Sequence, residues 1–213
     1  MKKLTIATAN KHKFEEIVRI LNPDELGMEL IFGGDSVSTT PDETGNTFYE
    51  NAYIKAKYYS EHTNSPALAD DSGLIVLSLN NQPGIYSSRY AGQNATFQDN
   101  NRKLLEVMKN IPEDNRNAYF ICIAVLYLPE NKSLWIGGGL DFSTEGILSG
   151  KIAFAPSGTG GFGYDPIFQL PDGHTVAEIS AEKKNKISHR AKAFQKMKSI
   201  LMFVKRKIWT GNN

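Results

Sequence analysis

A single cysteine in 213 residues, Cys122 within the apolar run 120–126, rules out an internal disulfide and a cysteine-built metal cluster, and its setting reads as a buried strand. An excess of one charge is missing too: 24 lysines and arginines oppose 23 aspartates and glutamates, leaving a net charge of +1. Without a broad basic field, neither nucleic acid nor membrane is expected as a partner, and any anion site must be local. No apolar stretch approaches the length of a membrane span. The run between Met1-Lys2-Lys3 and Asn10-Lys11-His12-Lys13 is too short for a secretory signal, so a cytoplasmic protein is the expectation. Repeats, low-complexity tracts and an evident linker are also missing. Residues 1–213 are therefore expected to form one domain, or two tightly joined lobes, with a frayed tail from about residue 208.

What is present is a composition 40% hydrophobic, enough for a true core, patterned as mixed strands and helices. Residues 4–7 read as a short buried strand, after which Phe14, Ile17, Val18 and Leu21 recur at helical spacing. Thr47-Phe48-Tyr49-Glu50 has the spacing of a capping box, and Phe48, Ala52, Ala56 and Tyr59 mark the buried face of a second helix, with Lys55 off that stripe. Residues 66–69 and 74–79 read as strand segments interrupted by Asp70-Asp71-Ser72-Gly73. Residues 100–108 suggest a helix, 119–127 a central strand and 134–136 another, while Ile187, Ala191, Phe194, Met197, Leu201 and Val204 line a long terminal helix. Strict alternation fails across residues 80–98, where Pro83-Gly84 and Tyr86-Ser87-Ser88-Arg89-Tyr90 suggest a long ordered loop. The class expected is α/β (mixed α+β) with a mixed sheet.

Ser157-Gly158-Thr159-Gly160-Gly161-Phe162-Gly163-Tyr164-Asp165-Pro166 contains a Gly-x-Gly-x-x-Gly match. A dinucleotide fingerprint needs a helix to begin inside the glycines, so that its N-terminus meets the pyrophosphate. Pro166 removes an amide donor and biases Asp165 away from helical angles, so the segment should leave the glycines as a loop. A glycine loop carrying Phe162 and Tyr164 beside a carboxylate suits a purine base; it equally suits a surface turn whose aromatics belong to the core.

Thr8-Ala9-Asn10-Lys11-His12-Lys13 sets hydroxyl, amide and ammonium groups beside free N–H groups at a helix start. Such a site favours phosphate, unless Asn10 is only a cap among exposed lysines. The adjacent carboxylates Asp70 and Asp71 repel each other unless a cation or a hydrogen-bond network compensates them. Magnesium, which takes one or two carboxylates and completes its shell with water and substrate phosphate, would do so; a plain acidic turn is the alternative. Asp42-Glu43-Thr44-Gly45 is a weaker acidic turn of the same kind. In Lys184-Asn185-Lys186-Ile187-Ser188-His189-Arg190, Ser188 reads as an N-cap that leaves His189 and Arg190 on a first helical turn, against the dipole unless an anion binds between them. They are either such an anion site or exposed cations.

Taken in order, Thr8-x-Asn10-x-x-Lys13, Glu43-Thr44-Gly45-x-Thr47-Phe48-x-Glu50-Asn51-Ala52, Ala69-Asp70-Asp71-Ser72-Gly73-Leu74, Pro83-Gly84-Ile85-Tyr86-Ser87-x-Arg89-Tyr90, Gly161-Phe162-Gly163-Tyr164-Asp165-Pro166 and Ser188-His189-Arg190 resemble the inosine triphosphate pyrophosphatase family, from about residue 4 to about residue 198. Each motif is modest, and the signal lies in six of them in the right order. Ala9, Asp42, Phe154-Ala155 and Ser157 depart from the family's frequent residues without removing a proposed catalytic group. The resemblance implies a long mixed central sheet flanked by helices in two lobes with a cleft between them, usually as a homodimer. It also implies magnesium-dependent cleavage of the noncanonical purine nucleoside triphosphates ITP, dITP and XTP to monophosphate and pyrophosphate. By that resemblance Asp71 is the base that activates water, and Glu43, Asp71 and Asp70 are the magnesium ligands. Thr8, Asn10, Lys13, Lys55 and Ser72 would hold the triphosphate. Phe162, Gly163, Tyr164 and Asp165 would form the base-proximal loop, and Lys184, His189 and Arg190 would close on base or phosphate. A Maf-type nucleotide pyrophosphatase is the enzymatic rival, disfavoured by the complete Ser188-His189-Arg190 motif. A noncatalytic nucleotide sensor is disfavoured by the intact carboxylates.

Overall fold

A computed structural model describes residues 2–130 and 138–207. In chain order these form β1 (Lys2–Ile6), α1 (Lys11–Leu21), α2 (Pro23–Leu26), β2 (Met28–Phe32), α3 (Gly33–Ser36), α4 (Phe48–Thr63), β3 (Ala67–Val76), α5 (Phe97–Val107), β4 (Asn117–Leu128), β5 (Leu140–Ile152), β6 (Phe168–Gln169), α6 (Ala181–Ile187) and α7 (His189–Lys207). The strands make one six-stranded mixed sheet in the order β2-β1-β3-β4-β5-β6. β1 runs parallel to both neighbours, with Lys2–Ile6 opposite Met28–Phe32 and Thr5 and Ile6 opposite Ala67 and Leu68, while β5 and β6 are antiparallel. The strand expected at 134–136 and the tail from 208 lie outside the described residues.

The chain divides into two compact units, Met1–Asp71 with Cys122–Gly146 and Arg190–Asn213, and Ser72–Ile121 with Ile147–His189. In the first, helices cover both faces of the sheet, as parallel strands require. Leu4, Ile6 and Leu68 pack with Ile17 and Leu21 of α1 and Phe194, Met197 and Leu201 of α7. Ala7, Ala67, Ala69, Val125 and Tyr127 pack with Ala52, Ala56 and Tyr59 of α4. Ala56 and Tyr59 continue the stripe expected of that helix; Lys55 lies beside it and outside that cluster, yet its side chain is only 13% exposed.

The second unit has its own core, including Leu74, Val76, Leu104, Phe120, Leu148, Ile167 and Phe168. Arg116, 1% exposed, donates to the carbonyls of Met108, Ile111, Ile152 and Ala153, tying the end of α5 to the end of β5 and satisfying carbonyls a helix terminus leaves over.

Four expectations change. β3 runs unbroken through Asp70-Asp71-Ser72-Gly73 instead of stopping there, because it is hydrogen-bonded within the sheet between β1 and β4. Residues Leu77–Leu79, expected as strand, form a 3-10 turn. Leu140–Ile152 form β5, where the sequence pattern assigns no element. Helix α5 starts three residues earlier than the apolar spacing suggested, at Phe97, because Thr96 and Asp99 form a complete capping box. Thr96→Ala should therefore lower Tm by about 2–4 °C in a thermal melt. The Asp99 carboxyl is held below its ordinary value by hydrogen bonds from the Thr96 side chain and backbone, with Arg102 assisting. Its contribution is thus complete above the unfolded pKa and lost as pH falls through the folded one, so the difference between wild type and Thr96→Ala should narrow in acid.

Candidate active site

Strand geometry separates the two adjacent aspartates. Successive side chains of a strand point to opposite faces, so within the first unit Asp70 shares the face of Leu68, toward α1 and α7, and Asp71 shares the face of Ala69, toward α4. The repulsion expected of neighbouring carboxylates is relieved by placing each among its own cations.

On the α4 face, Asp71 Oδ1 lies 3.4 Å from Lys55 Nζ and Asp71 Oδ2 accepts from Asn51 Nδ2 at 3.3 Å. The same ammonium sits 2.6 Å from Glu43 Oε1. Asn51 and Lys55 are four residues apart on α4 and so face the same way. Asn51 also accepts from the Gly45 amide at 2.9 Å, which fastens the turn carrying Glu43 to the helix. A side chain on Gly45 would collide with Glu50 and Asn51, which accounts for glycine there. The capping box at Thr47 is half formed: Thr47 caps the Glu50 amide, but Glu50 Oε2 reaches one residue further back, to the Asn46 amide. Burial pushes the Asp71 carboxyl above the ordinary carboxylate value; Lys55 pulls it back, and Glu43 adds to the rise. Burial works against the Lys55 ammonium, but Asp71, Glu43 and Asp70 outweigh it and hold its pKa above that of a free lysine.

Two carboxylates against one ammonium leave this face short of positive charge, and hard oxygen donors of this kind suit magnesium. No group of three or more His, Cys, Asp or Glu side chains is placed to hold a metal among the described residues. Magnesium does not require one, since water and substrate phosphate oxygens complete its shell.

On the opposite face Arg190 Nη2 lies 3.2 Å from Asp70 Oδ2 and Nη1 2.8 Å from Glu16 Oε2, each side chain at most 9% exposed. Lys13 Nζ is 3.5 Å from the same Asp70 oxygen. Asp70, expected beside Glu43 and Asp71, is thus found among cations, and Arg190 is found inside the first unit between two carboxylates. Those carboxylates supply the anions that a cation on the first turn of α7 calls for. At the start of α1, Thr8 Oγ1 accepts from the Asn10 amide and Asn10 Oδ1 from the Lys13 amide, each at 3.1 Å. Lys11, His12 and Lys13 fill the first turn, which contains no acid. That charge pattern leaves the helix start receptive to phosphate.

In the second unit the glycine loop behaves as expected: no helix begins in it, and Asp165–Ile167 form a 3-10 turn. Asp165 Oδ2 accepts from the Phe162 amide at 2.8 Å and from Lys184 Nζ at 2.6 Å, and that ammonium stands 4.5 Å from the centroid of the Phe162 ring. Tyr164 is turned into the core, with its hydroxyl donating to the Ser87 carbonyl at 2.9 Å, so of the two aromatics only Phe162 stays at the loop surface. His189 is 7% exposed and stacks on Phe120, ring centroids 4.8 Å apart. Ser188 ends α6 in an extended conformation, its amide donating to Lys184, and α7 begins at His189. Ser72, next to Asp71 on β3, is partly exposed.

Glu16 lies outside every motif quoted above, and Asn51 lies inside one that assigns it no role; both are structural partners of the site carboxylates and cations. Asn51 was detectable from its four-residue spacing to Lys55, but Glu16 carries no local signal, since its partner is 174 residues away.

Residues 4–200 match the family model described as Ham1 family. The chain belongs to the Ham1 family. Among similar curated proteins, the dITP/XTP pyrophosphatase of Thermoanaerobacter sp. (strain X514) is 42% identical over 203 residues, covering 94% of this chain and 96% of that protein. The dITP/XTP pyrophosphatase of Haemophilus influenzae is 44% identical over 201 residues, covering 93% and 98%. Of solved structures, a Ham1 protein from Coxiella burnetii superposes with a TM-score of 0.83 at 38% identity, covering 95% of this chain and all of that one. The Staphylococcus aureus Ham1 protein gives 0.81 at 37%, covering 94% and 98%. The mixed α/β sheet found here is therefore the Ham1 fold. No helix among the described residues is long and apolar enough to cross a membrane.

Proposed function

We propose that this Ham1 protein hydrolyses the noncanonical purine nucleoside triphosphates ITP, dITP and XTP at the α–β phosphoanhydride, releasing the nucleoside monophosphate and pyrophosphate. The observation that carries the chemistry is Asp71, a largely buried carboxylate whose pKa is raised yet which is flanked by an ammonium. Burial makes it a stronger base and Lys55 opposes that rise, the pair of influences by which a general base is tuned. Asp71 takes a proton from the attacking water, the oxygen adds to phosphorus, and the bond to the pyrophosphate leaving group breaks. Asn51 fixes the orientation of the Asp71 carboxylate during that transfer. Glu43 and Asp71 would hold a magnesium ion, which when bound polarises phosphate oxygens and lowers the pKa of water.

Thr8, Asn10, Lys13, Lys55 and Ser72 supply hydroxyl, amide and ammonium donors for the triphosphate. Phe162, Gly163 and the Asp165–Lys184 pair form the base-proximal loop, with His189 and Arg190 at the junction of α6 and α7. A loop whose hydrogen-bonding groups suit a 6-keto purine leaves them unmet against adenine, and such mismatches discriminate strongly. The same reading has the protein act as a cytoplasmic homodimer on free nucleotides, with no nucleic acid or membrane partner, in keeping with its net charge of +1.

The test is a panel of nucleoside triphosphates assayed with magnesium and resolved for both phosphate products. Pyrophosphate from ITP, dITP and XTP should form about 10²-fold or more faster than from ATP. Release of orthophosphate, or equal turnover of ATP, would overturn the reading.

A further inference from the structure

We propose that Asn101, with Phe97 one helical turn before it, is a positioning residue that sets base preference by fixing the Phe162-Gly163 segment, an inference that rests on the purine triphosphate function proposed above. All four residues belong to the second unit. The Thr96 capping box starts α5 at Phe97, and the four-residue spacing then puts Phe97 and Asn101 on one face of the helix. Asn101 is 9% exposed and donates from Nδ2 to the Gly163 carbonyl at 3.1 Å. Only the amino end of the amide can face a carbonyl, so the bond fixes the side-chain orientation as well.

Gly163 has φ +66°, and a Cβ there would meet nothing within 4 Å. Glycine is needed at this position for its backbone conformation and not for space, so the peptide is intrinsically free to swing. Asn101 removes that freedom. The Phe97 ring centroid stands 6.1 Å from that of Phe162, while Lys184 approaches the Phe162 ring and Asp165 holds its amide. Phe162 is thereby constrained at ring and backbone, and Asn101 fixes the next peptide.

Asn101 Oδ1 is buried and has no hydrogen-bond partner among the described residues. An unmet buried acceptor weakens the fold, so packing does not account for an amide here. Its donor to Gly163 does. Recognition of a purine edge depends on loop atoms held to a fraction of an ångström, and a loosened loop loses the distinction between a keto and an amino group before it loses the reaction.

The experiment compares wild type, Asn101→Leu and Phe97→Ala for kcat and KM on ITP and ATP, for calorimetric affinity toward IMP and AMP, and for Tm. Both variants should lower the ITP-to-ATP ratio of kcat/KM about tenfold. The IMP-to-AMP affinity ratio should fall in parallel, with Tm within about 3 °C of wild type. Phe97 is 50% exposed, so its truncation keeps the test valid even if Asn101→Leu folds poorly. Variants that keep the wild-type ratios while turnover of both substrates falls equally would show a merely structural role and overturn the inference. A wild-type protein that does not prefer ITP would overturn the functional reading and this inference with it.

Discussion

Asp71→Asn is expected to lose pyrophosphate release from ITP by about 10²–10⁴-fold while still binding the nucleotide. Aspartate presents two acceptors, one to Lys55 Nζ and one to Asn51 Nδ2. Asparagine presents one acceptor and one donor, so one of these contacts survives and the other is lost. Lys55 keeps Glu43 as its partner at 2.6 Å in either case, so the local frame persists. What disappears is the basic oxygen. Calorimetry with ITP and a pyrophosphate assay on the same preparation separate the two effects. Turnover near the wild-type level would remove Asp71 from the base role, and loss of binding together with turnover would make it a binding group instead.

Much of this arrangement is legible in the sequence wherever the signal is local. β1 and α1 follow from an apolar run and a helical stripe separated by the Asn10 cap, and the glycine loop is excluded as a dinucleotide cradle by Pro166 alone. Other features depend on partners that sequence spacing does not reveal. Asp70-Asp71-Ser72-Gly73 looks like a break in a strand, because none of these residues favours strands; sheet pairing overrides that preference. Only the continuous strand shows that the two aspartates serve different faces. β5 alternates in its burial, but Thr144 and Gly146 point inward and Ile147 outward, which hides the period. The spacing of Phe48, Ala52, Ala56 and Tyr59 leaves Lys55 beside the apolar stripe and carries no signal of its burial. Its buried position is stabilised by Asp71 and Glu43, which a helical wheel of α4 does not contain.

Arg190→Met should be the most destabilising single change on the α1–α7 face. It leaves Glu16 and Asp70 as buried carboxylates without their guanidinium, and removing one partner of a buried ion pair costs about 3–5 kcal/mol. At about 2–4 °C per kcal/mol for a chain of this size, Tm should fall by about 6–20 °C. Asp70 retains Lys13 at 3.5 Å, so Glu16 bears most of the loss. Combining Arg190→Met with Glu16→Gln removes that stranded charge and should recover part of the deficit in a calorimetric melt. A fall below about 2 °C for the single variant would mean that the pair contributes nothing net, as an ion pair whose desolvation cancels its attraction does. Family resemblance assigns Arg190 to closure on the ligand, whereas its contacts within the first unit are with Glu16 and Asp70. If the double variant regains stability but not nucleotide affinity, Arg190 serves both roles; if it regains both, the role of Arg190 is to hold α7 against α1 through Glu16.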